Sequence, residues 1–539
     1  MVNIRKQNFL KGSVILMLSA VTAKILGALF KIPLTNILGG IGMSYFSSAY
    51  SLFMPVYALS VTGLSSAVAR MTAQNVALGM YANAKRVRST ALFLFSGVGL
   101  AGSIIILCLA RPFSVYSADL PEAWLAVAMI SPSVFFGCVT AVERGYYEGL
   151  SNMYPTALSQ AIEGIVKVFS GLWLCGYVQG HGREIMSYFP EITDVKAISA
   201  SAGILGVTLS TAGSALFFAV MRIFGDGLSE NGEKTVISRK KIIKELIAIS
   251  LPTGISAVVT NLTALIDMWT VIGCISYYKG NYNISGISSE DLPQFIYGSF
   301  SGIALTVFNL VPSVTNMLGK GILPCVTEAW ENKDHKSLEK SSLQALLTSV
   351  GIAVPSAFGL GVLSEQILIF LFPHQADEVK VCVNALKILM PGMVCLCMSY
   401  PVFSMLQAVG KSSSPLKIML AGTVLKLAGN IILIRFMGID GASLSTTLCY
   451  IMILTVSLSE YVKVSGIKID FLPFALIGYS GIMCGAGAYL VSEITARYGM
   501  SVFMQIALSA VTGGGIYIGI ILVCGRNLFQ HIGVKKRTA

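Results

Sequence analysis

The chain has 539 residues, a length that would allow roughly three or four soluble domains. Its composition excludes that class, because 54% of the residues are hydrophobic and only 12% are charged, whereas a typical soluble domain has about 25% charged residues. The net charge of +12 would suggest a nucleic-acid partner in a soluble protein, but in a membrane protein it indicates basic loops on the cytoplasmic side. The sequence therefore predicts an all-α integral membrane protein without a nucleic-acid partner.

Fourteen apolar stretches are each long enough to cross about 30 Å of hydrocarbon as a helix. In chain order the predicted spans are 13–36, 45–69, 89–110, 123–142, 155–177, 198–221, 246–275, 296–318, 342–364, 383–406, 415–434, 441–459, 472–491 and 501–523. Lys24, Lys31 and Pro33 interrupt the first span, so we expect a bend there. Pro391 and Pro401 are expected to break the tenth span.

The distribution of basic residues tests this number of spans, because cytoplasmic loops collect Lys and Arg. With the N-terminus in the cytoplasm, cytoplasmic segments hold 26 of the 38 basic residues and external segments hold 8. The other four lie within spans or at their edges: Lys24, Lys167, Lys387 and Lys426. Lys387 lies near a span end, where its ammonium group can reach the interface. The sequence thus predicts a multi-pass protein with both termini in the cytoplasm.

Two segments of the chain repeat each other. Residues 203–211 and 438–446 are identical at six of nine positions, and Pro and Lys upstream of each segment have similar spacings. The repeat predicts two parallel six-helix lobes followed by two C-terminal helices. The predicted boundaries are an N-terminal lobe 1–222, a cytoplasmic linker 223–245, a C-terminal lobe 246–460, and a segment 461–539 with the last two spans and a basic tail. Parallel repeats of this kind place the substrate between the lobes and work by alternating access.

At these residues the chain resembles a known family. Segment 144–168 begins Arg-Gly-Tyr-Tyr-Glu-Gly and continues through Asn-Met-Tyr-Pro-Thr-Ala, as in the signature of the stage V sporulation protein B group. Segments 23–43 and 406–417 resemble the same group. These proteins are polysaccharide transporters of the multidrug/oligosaccharidyl-lipid/polysaccharide (MOP) exporter superfamily, which includes the MurJ-type flippases of lipid II.

The resemblance implies a transporter of the bacterial cell membrane and not an enzyme. Its substrate would be an undecaprenyl-diphosphate-linked saccharide, lipid II or a related precursor, moved from the inner to the outer leaflet by alternating access. Membrane lipid and the lipid-linked oligosaccharide would be its partners, with H⁺ or Na⁺ as a coupling ion. The last two spans would hold the polyprenyl tail or, through the Gly481-Ile-Met-Cys-Gly485 pattern, act as packing helices.

An ionisable side chain in mid-membrane costs about 2.5–3.5 kcal/mol on insertion scales, so each one indicates a role. The basic candidates for binding a diphosphate are Lys24, Lys31, Arg144 and Lys167. Lys24 stands where MurJ-type flippases carry a cavity arginine in the first span. The alternatives are that Lys31 anchors the external end of its span and that Arg144 is a cytoplasmic-loop charge.

The remaining ionisable residues suggest charge pairs or ion coupling. Glu163 and Lys167 stand at i, i+4 on one helix face and are able to pair. Asp267 and Lys426 have no neighbour of opposite charge on their own spans, so we expect them to pair, with Asn430 one turn beyond Lys426. In some flippases this lobe carries a cation site, and the Lys426 ammonium would take the place of Na⁺ there.

Two alternative functions are a cation-coupled multidrug exporter of the same superfamily and a membrane enzyme acting on lipid-linked sugars. The exporter is expected to favour acidic over basic cavity residues, and the enzyme needs a large external loop, whereas the longest one here is about 178–197. The sequence has no nucleotide-binding fingerprint and no metal-ligand spacing among its four His residues, so no cofactor or metal is predicted.

Overall fold

The computed structural model describes residues 9–223, 237–278, 282, 284 and 287–531. Most of the predicted cytoplasmic linker, 224–236, and the basic tail after His531 lie outside the described residues. Within the described ranges every regular element is a helix, which confirms the predicted all-α fold.

The chain divides into two compact units, Met1–Ile272 and Gly273–Ala539. The helices that begin in the first unit are α1 (Phe9–Tyr57), α2 (Gly63–Ala77), α3 (Tyr81–Pro112), α4 (Trp124–Ile130), α5 (Pro132–Gly149), α6 (Tyr154–Met186), α7 (Val195–Ile223) and α8 (Arg239–Ile275). Short turns of π- or 3₁₀-helix follow α1 and α3 and precede α4. The predicted lobe and linker boundaries stay a prediction.

The second unit is also built of helices. They are α9 (Leu292–Ser299), α10 (Leu305–Phe308), α11 (Leu310–Glu331), α12 (His335–Val362), α13 (Ser364–Leu371), α14 (Ala376–Ala408), α15 (Ser414–Met437), α16 (Ile439–Ser465), α17 (Leu472–Arg497) and α18 (Val502–His531). Proline occupies one of the first two positions of α5, α6, α9, α15 and α17, where its missing N–H breaks no helical hydrogen bond.

The described part of the chain has 12 helices long and apolar enough to cross a membrane, or up to 13 if the bent pair Leu292–Phe308 and Leu310–Glu331 is one span. The predicted number of fourteen is therefore not confirmed. The difference concerns the first two predicted spans, because the single candidate stretch Val21–Ala77 of 57 residues overlaps both of them. As a straight helix it would be about 85 Å long, well beyond the thickness of a bilayer. Its helical geometry is interrupted at Gly39, whose φ of 66° suits glycine.

The break predicted at Pro391 and Pro401 does not interrupt the helix, and the break in helical geometry nearest Pro33 lies at Gly39. α1 passes Pro33 and keeps helical geometry up to Gly39, and α14 runs without interruption through Pro391 and Pro401. Proline is tolerated in membrane helices because nearby hydroxyls and neighbouring helices satisfy the backbone groups that it frees.

Glycines allow α6 to pack closely on α1 and α7. Leu26 of α1 lies against Gly164, and Phe30 lies against Gly171. A Cβ at Gly206 of α7 would lie 2.2 Å from the Gly171 Cα, so these two backbones touch without intervening side chains. Gly441, the repeat mate of Gly206, meets the preceding helix in the same manner, because its Cβ would lie 2.3 Å from the Leu433 carbonyl oxygen. The repeated sequence thus has a shared packing role.

We expect the Gly206→Ala substitution to destabilise the protein by about 1–3 kcal/mol, because the new methyl group would overlap backbone atoms that cannot move aside. Thermal unfolding of the purified protein in detergent measures the effect. The matched control is Gly176→Ala on α6, where the space within 4 Å is open and the melting temperature should stay within error of wild type or rise. Equal stability of both variants would contradict the close packing.

In the second unit the GxxxG pattern of α17 packs against α12. A Cβ at Gly481 would lie 2.3 Å from Val354 and 2.9 Å from Phe358, and Gly485 lies against the other edge of the same ring. Tyr517 of α18 donates a hydrogen bond to the Gly351 carbonyl of α12. The predicted packing role of this glycine pair is therefore present in the structure.

Candidate functional site

The clearest cluster of charged side chains in the first unit surrounds Arg144. Its guanidinium donates from Nη2 to Glu163 Oε2 at 2.8 Å and from Nε to Ser159 Oγ at 2.9 Å, both on α6. Nη2 also donates to Ser214 Oγ of α7 at 3.3 Å. The Arg144 and Glu163 side chains are 18% and 22% exposed, so this pair is partly open to its surroundings. Arg144 thereby joins α5 to both α6 and α7.

One edge of the Arg144 guanidinium is left for a ligand. Among the described residues, no acceptor bonds to Nη1, while Nε and Nη2 are held in place as above. A guanidinium has five N–H donors in a fixed plane, and its two edges suit carboxylate or phosphate oxygens. The arrangement is therefore chemically able to hold an anion at Nη1 while the protein fixes the plane of the guanidinium.

Glu163 is placed beside Arg144 and not beside Lys167. Among the described residues, no carboxylate lies within 4.0 Å of the Lys167 ammonium, although Lys167 is one turn after Glu163 on α6 and half-buried. The cluster thus includes residues of α5, α6 and α7. The sequence identified Arg144 and Glu163 but not this pairing, since the two residues are 19 positions apart.

Lys24 and Lys31 of α1 share a helix face, because seven residues correspond to nearly two full turns. Lys24 is exposed and its neighbours Ile25 and Leu29 are exposed at 56% and 54%. Lys31 is half-buried. A basic residue on an otherwise apolar stretch is costly in a membrane, so this face is a plausible contact for an anionic group.

A second ion pair in the first unit is not evident from the sequence. Arg88 of α3 and Glu143 of α5 lie 2.6 Å apart with side chains only 8% and 4% exposed. The Arg88 guanidinium lies over the Tyr146 ring at 4.6 Å from its centroid and 5.6 Å from that of Tyr147. The sequence places both charges in cytoplasmic segments at span ends. The pairing itself cannot be predicted, because nothing in the sequence links residues of two distant helices. Glu143 directly precedes Arg144 on α5. Its ion pair with Arg88 therefore ties α3 to the helix that carries Arg144.

Three of the residues predicted for charge pairing or ion coupling are buried. Asp267 of α8 is 3% exposed, Lys426 of α15 is 3% exposed and Asn430 is fully buried. The Lys426 carbonyl accepts a hydrogen bond from the Ser445 hydroxyl of α16 at 3.0 Å. Asp267 belongs to the first compact unit and Lys426 to the second, so their pairing stays a prediction.

Two known protein families match the chain. Residues 9–330, more than half of the chain, match the family model described as polysaccharide biosynthesis protein. The chain belongs to this family. Residues 190–509 also match the family model described as lipid II flippase MurJ. The predicted resemblance is confirmed, and the chain is assigned to the MOP superfamily of flippases.

Relatives are similar over almost the whole chain. Stage V sporulation protein B of Bacillus subtilis is 23% identical, with 96% of each chain covered. Lipid II flippase MurJ of the same organism is 21% identical, with 96% of this chain and 95% of that protein covered. A solved structure of lipid II flippase MurJ in an inward closed conformation has a TM-score of 0.70 at 17% identity and covers 95% of this chain and 99% of that one. The chain thus has the MurJ-like fold of a multi-pass membrane transporter.

Proposed function

We propose that this chain moves an undecaprenyl-diphosphate-linked saccharide, lipid II or a related envelope precursor, from the inner to the outer leaflet of the bacterial cell membrane. It acts by alternating access, as transporters with parallel repeats do. The saccharide and diphosphate pass through the protein while the polyprenyl tail stays in lipid. The reaction is transport and involves no bond making or breaking.

The observation that carries this proposal is the set of basic side chains on the apolar helices of the first unit: Lys24, Lys31, Arg144 and Lys167. A diphosphate needs positive charge along its path, since an unpaired anion in a low-dielectric region is strongly unfavourable. Lysine provides a compact charge and arginine binds two phosphate oxygens at once. The unbonded Nη1 of Arg144 gives this set a fixed phosphate-binding group.

A multidrug exporter of the same superfamily is the alternative, because many drugs are cations and an acidic cavity attracts them. The acidic residues argue for the anionic substrate instead. Glu163 is already neutralised by Arg144, and Glu143 is neutralised by Arg88. This leaves Lys167, which has no carboxylate within 4.0 Å among the described residues, as a positive charge one turn from the neutralised pair.

The substrate is tested by depletion of the native lipid II flippase in a cell that expresses this chain. Rescue of growth together with restored exposure of lipid II on the outer leaflet is the expected result. The control is the Arg144→Ala variant at the same membrane level, which should not rescue. Failure of the wild-type chain to rescue, when it is present in the membrane, would contradict lipid II as the substrate and favour another lipid-linked saccharide.

We expect Lys24→Ala to abolish this rescue, because Lys24 carries a positive charge within the apolar part of α1 and lies among exposed apolar residues. The protein should still reach the membrane, since an exposed lysine contributes little to packing. Immunoblotting of membrane fractions measures the protein level, and the rescue assay measures function. Lys24→Arg keeps the charge and should retain at least part of the activity. Full complementation by Lys24→Ala would remove this residue from the site.

A further inference from the structure

Glu163 already neutralises the charge of Arg144 in this structure. Glu163 lies 2.8 Å from Nη2, so a diphosphate at Nη1 would be held by the same guanidinium that the carboxylate already neutralises. The two anions would also repel each other across one guanidinium group, and such repulsion is stronger in a partly buried site than in water. Tight binding of a diphosphate at Arg144 therefore requires Glu163 to move away or to gain another counter-ion.

Lys167 is placed to be that counter-ion. It follows Glu163 by four residues on α6, which brings both side chains to one face, and Glu before Lys is the favourable order. Among the described residues, no carboxylate lies within 4.0 Å of the Lys167 ammonium. Gly164 and Gly171 pack the α6 backbone closely against α1, so the exchange is expected to involve the Glu163 side chain and not a shift of the helix.

Arg144 keeps its orientation when Glu163 leaves. Ser159 still accepts from Nε and Ser214 still accepts from Nη2, so two hydrogen bonds to α6 and α7 remain. The Nη2 donor that Glu163 vacates is then available in addition to the two donors of Nη1. The guanidinium is therefore able to bind two oxygens of a phosphate group.

We propose that Glu163 exchanges partners during transport. It pairs with Arg144 when no substrate is present and with Lys167 when the diphosphate of the substrate occupies Arg144. This inference rests on the proposed function. It assigns Lys167 as a positioning residue that accepts the displaced carboxylate, and it assigns Glu163 as an internal competitor of the substrate anion. The exchange returns Arg144 to a neutral pair after release, which prevents the diphosphate from being trapped.

A double-mutant cycle tests the exchange. The purified full-length chain in nanodiscs is titrated with undecaprenyl diphosphate, and undecaprenol serves as the probe without a diphosphate. We expect Lys167→Met to weaken diphosphate binding about tenfold, because Glu163 then has no partner other than Arg144. Glu163→Gln should bind at least as tightly as wild type. The double variant should match Glu163→Gln within about twofold, because no carboxylate remains to be displaced.

Two controls distinguish the exchange from direct binding of the diphosphate by Lys167. Lys167→Arg preserves a counter-ion and should bind as wild type does, whereas the exposed Lys387→Met in the second unit should have no effect. If Lys167→Met reduced the affinity for undecaprenyl diphosphate by the same factor in the wild-type and the Glu163→Gln chains, Lys167 would contact the diphosphate directly. The proposed exchange would then be wrong. Weaker binding by Glu163→Gln alone would also overturn it, even if the lysine variants failed to fold. Absence of preferential diphosphate binding by the wild type would overturn the proposed function together with this inference.

Discussion

Loss of the Arg88 side chain is expected to destabilise the protein by about 3–5 kcal/mol, the usual effect of leaving one charge of a buried pair without its partner. Arg88→Ala leaves Glu143, which is 4% exposed as a side chain, in an apolar site between α3 and α5. It also removes the guanidinium from the faces of Tyr146 and Tyr147. Thermal unfolding in detergent and the level of protein in the membrane measure the effect.

Two variants test the physical reason for this loss. The Arg88→Met/Glu143→Leu double variant removes both charges and should recover most of the stability, because replacing a buried pair by apolar groups is often neutral. Arg111→Ala removes one member of a pair with the same 2.6 Å separation but with side chains 62% and 59% exposed. It should cost about 0–1 kcal/mol, as exposed pairs do. Equal losses for Arg88→Ala and Arg111→Ala would show that burial is not the cause.

Arg144→Ala is expected to reduce transport by about a hundredfold or more while the protein stays in the membrane. The variant loses the Nη1 edge for the diphosphate as well as the hydrogen bonds to Ser159 and Ser214. Charge-assisted hydrogen bonds contribute about 1.5–3 kcal/mol each, so the loss of a bidentate contact corresponds to a change of this size. Transport per molecule of membrane-inserted protein is the measurement.

The conservative variant makes this prediction specific to geometry. Arg144→Lys keeps the positive charge but has one nitrogen, so it cannot bond Ser159, Ser214 and a phosphate in one plane. We expect its transport to stay closer to that of Arg144→Ala than to wild type. Wild-type transport by Arg144→Lys would show that charge alone is sufficient, and wild-type transport by Arg144→Ala would remove Arg144 from the site.

Hydropathy is sufficient to predict the helical class and most of the spans. The fifth predicted span, 155–177, lies within α6, and the eleventh, 415–434, lies within α15. The first two spans are harder to separate, because the helix continues over residues that resemble a loop and changes direction at Gly39. Pro391 does not interrupt its helix, since rules for soluble helices undervalue the satisfaction of backbone groups inside a membrane protein.

The candidate site is predictable in part. The sequence singles out Arg144, Glu163 and Lys167, because charged residues in apolar helices are rare. Helix periodicity favours the local pair Glu163–Lys167, whereas the structure pairs Glu163 with Arg144 through the packing of α5 on α6. The Arg88–Glu143 pair cannot be predicted from the sequence for the same reason, since contacts between distant helices leave no periodic signal in a single sequence.

We propose that the chain binds a lipid-linked diphosphate through Arg144 and carries it across the membrane. The most direct test is the outer-leaflet exposure of lipid II in liposomes that contain the purified chain, compared with liposomes that contain Arg144→Ala at equal protein density. We predict rapid exposure with the wild type and exposure close to that of protein-free liposomes with the variant. Equal exposure with both proteins, or none with a correctly inserted wild-type chain, would contradict the claim.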